Sequence, residues 1–442
     1  MFRFPRLAPS AWSARLLLGI VAALLIAPQS AAAQTATAQT ATPQQVTAAE
    51  PVVYDVLLKG GHVIDPKNGR NARLDIAIVG GRIHRVAEHL PPAQARKVVD
   101  VSDYIVTPGL IDIHAHYDVS GPSLSLNPDH NSLRNGVTTA VDAGTSGWKR
   151  FEEFKKDTID RAETRVLALL NIVGAGMYGS GEGEPENDVA EMDVDAAVRM
   201  VKKYPNIIVG IKTAHYQPAD WEAVDRAVKA AELSNTVLMV DFHPKPGRGY
   251  EELILKHMQP GNIHTHFYGR LTPQIDENKR VQDYMWKARE RGVLFDVGHG
   301  SGSFWFRIAV PAIQQGFLPD TISTDIHKSS IMLPHATLTN VMSKFLNIGM
   351  TLEQVIERTT VNAAKAIRRY DLGNLDEGSV ADIAVLEVER GRFPFVDSGR
   401  AKHIGDRRLN AILTVRAGEI VWDLKGLAAE EFSNVGPYSN FK

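Results

Sequence analysis

The sequence has 442 residues, 44% of them hydrophobic, and a formal charge of -2 at pH 7. That length suits one large catalytic domain with a smaller companion, and the near-neutral charge offers no basic surface for nucleic acid. Cysteine is absent, which excludes disulfides, thiolate metal ligands, a cysteine nucleophile and a lipidated N-terminal cysteine.

In chain order, Arg3, Arg6 and Arg15 precede an apolar run from Leu16 to Ile26, and Ser30-Ala31-Ala32-Ala33 offers a small-residue cleavage site. Residues 1–33 read as an export signal that is removed after Ala33, which places the mature protein in the periplasm or outside the cell, with no membrane segment left. Residues 34–51 repeat Gln-Thr-Ala-Thr and read as a flexible linker. From Val52 the pattern turns to short strands: residues 55–59, then 75–79 joined by Gly80-Gly81 to 82–86, a hairpin signal. Similar strands return at 381–386 and 411–421, so residues 52–107 and 376–426 are expected to share one small β-sandwich domain, followed by a tail over 427–442.

Between these flanks, residues 108–375 alternate apolar strands with amphipathic helices, which predicts βα units and a closed (β/α)8 barrel, an α/β fold. Residues 220–233 place Trp221, Val224, Val228 and Ala231 on one helical stripe. Thr351 and Gln354 form a capping-box pattern at the start of another helix.

The strand 110–113 leads into His114 and His116, two residues apart and therefore on one face, where both imidazoles can grip one ion. Later strands end in the same way. Residues 206–211 run into Lys212, 236–242 into His243, 262–263 into His264 and His266, 293–298 into His299, and 321–324 into Asp325. A barrel keeps its chemistry at the carboxyl ends of its strands. Burying the Lys212 ammonium is costly unless it is paired or its charge changes. Residues 174–188, with Gly176, Gly179, Gly181 and Gly183 interleaved with Glu182, Glu184 and Glu186, read as a loop over the site, from which Tyr178 could reach a substrate. His327 and His335 follow the last of these strands and stay outside the expected set, as do His62, His84, His89, His257 and His403.

The motifs Thr107-Pro108-Gly109-Leu110-Ile111-Asp112-Ile113-His114-Ala115-His116, Gly210-Ile211-Lys212, Thr265-His266 and Ser323-Thr324-Asp325 resemble the amidohydrolase superfamily in its binuclear-metal branch. Val141-Asp142-Ala143-Gly144-Thr145, Glu163–Asn171 and Phe295–Gly300 resemble its amidohydrolase/deacetylase metallohydrolases, relatives of dihydroorotase. The likeness spans residues 52–426. It implies two divalent ions, with zinc the expected occupant: one on His114, His116 and Asp325, the other on His243 and His266, with carboxylated Lys212 bridging both. It also implies hydrolysis by a hydroxide bridging the ions, with Asp325 as the catalytic proton shuttle. His299, Tyr178 and Tyr117 are the candidate substrate contacts.

Dihydroorotases carry an arginine where this chain has Asp118, which argues against that activity. The expected reaction is therefore deacylation of a small molecule, an N-acyl amino acid or O-acyl hydroxy acid, with a lactone or cyclic amide as the alternative. A single-metal deaminase would have no use for Lys212, and a non-catalytic binding protein would carry a degraded ligand set. Nothing in the sequence excludes a homo-oligomer.

Overall fold

The computed structural model describes residues 52–121, 124–177, 186–333 and 335–437. The expected export signal, the linker and Tyr178 lie outside the described residues, as do most of the 174–188 loop and the last five positions of the tail.

The two ends of the described chain build one sheet. Its N-terminal strands are β1 (Tyr54–Asp65), β2 (Arg70–Val79), β3 (Arg82–Ala87), β4 (Ala95–Asp100) and β5 (Ile105–Pro108). The Gly80-Gly81 link between β2 and β3 has positive φ at both residues, as a tight hairpin of this hand requires. A Cβ on Gly81 would also fall 2.7 Å from the Ala417 carbonyl.

Seven consecutive parallel strands form a second sheet: β6 (Leu110–Ala115), β7 (Val137–Gly147), β8 (Arg165–Asn171), β9 (Ile208–Thr213), β10 (Val237–Val240), β11 (Ile263–His264) and β12 (Leu294–Phe295). Three late strands then return to the first sheet: β13 (Ile383–Val396), β14 (Lys402–Arg416) and β15 (Glu419–Asp423). β13 pairs antiparallel with β5, so the sheet runs β15-β14-β13-β5-β1-β2-β3, with β4 beside β1. Leu58, Val63, Ile76, Val106, Ile383 and Val415 bury its inner face.

The segment 321–326 touches both edges of the parallel sheet. Parallel bridges join Asp296 to Thr321 and Ala115 to Ile326. Backbone bonds reinforce them: Asp325 N–H donates to the His114 carbonyl at 2.7 Å, and His116 N–H to the Ile326 carbonyl at 3.0 Å. The Asp112 carboxylate adds a lock by accepting from Thr324 N–H at 3.0 Å and from its hydroxyl at 2.5 Å.

Helices cover the parallel strands. The predicted 220–233 helix runs Glu222–Ser234, but its buried stripe is mostly alanine, at Ala223, Ala227, Ala230 and Ala231 around Val224. Small residues let it approach β9 and β10 closely. The capping box forms as predicted, Gln354 N–H donating to Thr351 Oγ1 and Thr351 N–H to Gln354 Oε1.

Candidate metal centre

Ile111 and Ile113 of β6 pack into the core beside Val141, Leu167 and Met239. The pairing of β6 with β7 shifts register between Asp112 and Ala115, where His114 stands, and the two imidazoles meet edge to face at the strand's end with ring centroids 5.7 Å apart. One atom from each of His114, His116 and Asp325 lies within 4.8 Å of the others, in the one such group among the described residues. Asp325 Oδ1 stands 3.0 Å from His116 Nε2 and 3.5 Å from His114 Nε2. Ligands bound at about 2.0–2.1 Å in tetrahedral geometry sit about 3.3 Å apart, so these spacings suit three donors around one ion.

The ring orientations are fixed from behind. Asp296 accepts from the hydroxyls of Thr265, Thr321 and Ser323 at 2.6–2.8 Å. Thr265 spends its only proton on Asp296, so its oxygen accepts from His114 Nδ1 at 2.9 Å. His114 therefore carries its proton on Nδ1, and the Nε2 lone pair faces the centre. His266 Nδ1 likewise donates to the Gly298 carbonyl at 2.6 Å. His116 Nδ1 pairs with Thr145 Oγ1 at 2.7 Å. Burial holds His114 well below the usual imidazole range, which keeps it neutral as a metal ligand must be.

Lys212, at the end of β9, is fully buried, with Nζ 3.2 Å from His114 Nε2. Burial lowers its pKa and the Asp241 and Asp325 charges only partly restore it, which favours a neutral amine. Gly144 makes room for it: a Cβ there would stand 2.6 Å from Lys212 Cγ. These donors fit a divalent ion.

A cavity of 540 Å³ opens over the centre, and His114, His116, Lys212, His266 and Asp325 all line it. His215, Asp241, His243, Lys245, Arg270 and His327 line it as well. Sequence reasoning missed Asp241, His215 and His327. Asp241 shares strand parity with His243 and was legible as an alternative, but nothing in the pattern marks His215.

Two expected substrate contacts are corrected. Tyr117 is 1% exposed in the main core, its hydroxyl 3.1 Å from Ser132 Oγ. His299 is fully buried, stacked on Phe304 with Nε2 2.8 Å from Lys344 Nζ. Positive φ at Gly298 and Gly300 turns the chain there and brings Gly300 against Asp325. His264 lies behind His266, also fully buried, with Nδ1 donating to the Thr265 carbonyl at 2.5 Å. His243 lines the cavity with its side chain 38% exposed, 3.9 Å from Asp241.

The amidohydrolase family profile matches residues 306–421. A deacetylase of Agrobacterium fabrum is 31% identical over 338 residues, which cover 75% of this chain and 83% of that protein. The chain belongs to the amidohydrolase family. Amidohydrolases are hydrolytic enzymes acting on C–N bonds, and they generally use divalent metals. The crystal structure of an adenine deaminase is similar to this amidohydrolase at a TM-score of 0.78 and 26% identity, over 84% of this chain and all of that one. The crystal structure of a dihydroorotase is similar at a TM-score of 0.75 and 28% identity, over 83% and 99% of the two chains.

Proposed function

We propose that this amidohydrolase is an exported, metal-dependent deacylase that cleaves the amide or ester bond of an N-acyl amino acid or an O-acyl hydroxy acid. The observation that carries this reading is the convergence of His114, His116 and Asp325 on one point, with Lys212 Nζ beside them. The parallel sheet is read as a (β/α)8 barrel completed by residues 321–326, and the terminal strands as a sandwich-like companion domain. Its likeness to the deacetylase favours an acyl substrate.

The neutral Lys212 amine adds to carbon dioxide, forming an N–C bond and releasing one proton. The resulting carbamate would be an anion that offers two oxygens to divalent ions where the amine offers one nitrogen. His114, His116 and Asp325 would hold one divalent ion and carbamylated Lys212 would share it with a second, zinc being the expected metal. Such ions supply a water acidic enough to attack at neutral pH and polarise the scissile carbonyl. Asp325 accepts that water's proton and delivers it to the leaving nitrogen or oxygen, a task for a carboxylate aimed into the cavity. Lys245 and Arg270 place two cations on the cavity wall, where a substrate carboxylate would pair with them.

The likeness to the dihydroorotase supports a second reading, hydrolysis of a lactone or cyclic amide. One experiment separates the two. Residues 34–442, produced with zinc and bicarbonate, are tested on N-acyl amino acids, O-acetyl hydroxy acids, lactones and cyclic amides, beside Lys212→Ala and Asp325→Asn. The expected outcome is turnover of an acyl substrate, lost at least 100-fold in both variants. Turnover confined to ring substrates would establish the second reading, and near-normal turnover by metal-replete Asp325→Asn would remove its role as shuttle. Failure of residues 34–442 to fold would contradict the assignment of the preceding segment as a removable signal.

A further inference from the structure

We infer that the tip of the β13–β14 hairpin, Asp397–Gly399, positions the cavity wall at Ser301–Ser303 and so sets how tightly a substrate is bound. This rests on the reading above that the cavity over the centre is the substrate site.

β13 pairs with β5 only over Ile383–Leu386. From Glu387 to Val396 its partner among the described residues is β14, so the two strands leave the sheet as a ribbon. A two-stranded ribbon is marginal by itself, and the helix Leu338–Asn347 supports this one. Leu409 N–H donates to Ser343 Oγ at 2.9 Å, and Asn347 Nδ2 donates to the Arg407 carbonyl at 2.7 Å. The far end of the ribbon meets the loop after β12.

Two tip residues clasp the return of that loop. Ser398 N–H donates to the Phe304 carbonyl at 2.8 Å, and Phe304 N–H donates to Ser398 Oγ at 3.1 Å. The Ser398 hydroxyl reaches the His299 carbonyl at 3.3 Å. Asp397, 1% exposed, accepts from Ala401 N–H at 2.8 Å with one oxygen, which closes the tip, and from Phe306 N–H at 3.0 Å with the other. Phe306 begins the helix Phe306–Gln314, whose first amides lack partners within the helix and whose own N-cap residue supplies no side-chain bond.

The third contact is steric and leads to the cavity. A Cβ on Gly399 would stand 2.6 Å from the Trp305 ring. Trp305 Nε1 donates to the Gly302 carbonyl at 3.0 Å, and Ser301, Gly302 and Ser303 line the cavity. The base of the same loop is held from another side: Gly298 N–H donates to Ser323 Oγ at 3.0 Å and Gly300 N–H to the Thr324 carbonyl at 2.9 Å. Asp325 itself is tied to the His114 carbonyl. Loosening the tip therefore frees the wall and leaves Asp325 in place. A wall ordered before the substrate arrives spares the complex that loss of entropy, so the effect falls on KM rather than on kcat.

The test compares wild type with Ser398→Ala, which removes the clasp, and with Gly399→Ala, which keeps every hydrogen bond and pushes on Trp305. Hydrogen–deuterium exchange is followed in peptides covering 301–306 and, as a reference, 338–347, and kcat and KM are measured with the acyl substrate that the panel above identifies. The inference expects exchange over 301–306 to quicken about tenfold with the reference unchanged, and KM to rise about tenfold with kcat and metal content kept. Unchanged exchange over 301–306 overturns it, as does a fall in kcat at unchanged KM, or a rise in exchange shared by the reference, which would mark a merely structural role. If Ser398→Ala does not fold, Gly399→Ala decides by the same outcomes. Silence of wild type across the whole panel would remove the acyl reading, and the exchange measurement would then decide the inference without a substrate.

Discussion

A single hydroxyl decides which nitrogen of His114 is available. Thr265 can accept from the ring only because its proton is already given to Asp296. Thr265→Val keeps the shape and removes both bonds, so the His114 tautomer is no longer set. The expected result is a loss of about 10–100-fold in affinity for the first ion, read by chelator competition, with little change in the fold. Sequence alone marks His114, as the first of a His-x-His pair at the end of an apolar run. It gives no sign of Thr265 as its keeper, because that contact joins strands far apart in the chain.

Most site residues sit where an element ends, and the ends differ in how readable they are. His114 and Lys212 continue from apolar runs and Asp325 closes the short strand-like segment 321–324, so their placement follows from the pattern. Asp241 and His243 share a parity, and only the packing of the loop after β10 turns one inward and leaves the other half exposed. His215 follows β9 with a left-handed backbone, which the residue type does not announce. The loop after β12 misled for the opposite reason. Its glycines at 298 and 300 do mark a close approach, but it is the backbone that nears the site while His299 turns into the core. A Cβ on Gly298 would fall 2.2 Å from Thr265 Oγ1 and 2.8 Å from His266 Nδ1, at a φ of 45°. Gly298→Ala is therefore expected to cost about 1–3 kcal/mol in thermal or urea unfolding and to lower metal content, because the atoms that must move orient the rings of His114 and His266.

At the scale of the whole molecule, two lysines are fully buried among the described residues, Lys212 at the candidate centre and Lys344. Lys344 is 0% exposed on the helix Leu338–Asn347, against His299. Burial pulls its pKa down from 10.5 to about 7. Between about pH 7 and 10.5 the folded chain then binds fewer protons at this site than the unfolded chain, so stability rises with pH across that window, and the full penalty applies below it. Lys344→Met is expected to raise the midpoint of thermal unfolding at pH 7 by a few degrees. It should also flatten the rise toward pH 10 relative to wild type, a comparison that cancels any contribution from Lys212, whose pKa burial also lowers. His299 keeps its bond to the Gly300 carbonyl in the variant.

The bridging of both sheet edges by residues 321–326 has a consequence in time as well as in space. A ribosome releases His114 long before Asp325, and β5 long before its partner β13. A nascent chain that stops short of residue 325 carries an incomplete donor set and a sheet without its partner strands. Ion binding by the proposed donor set would thus be a late event in the life of the polypeptide, and a prematurely terminated product would lack it.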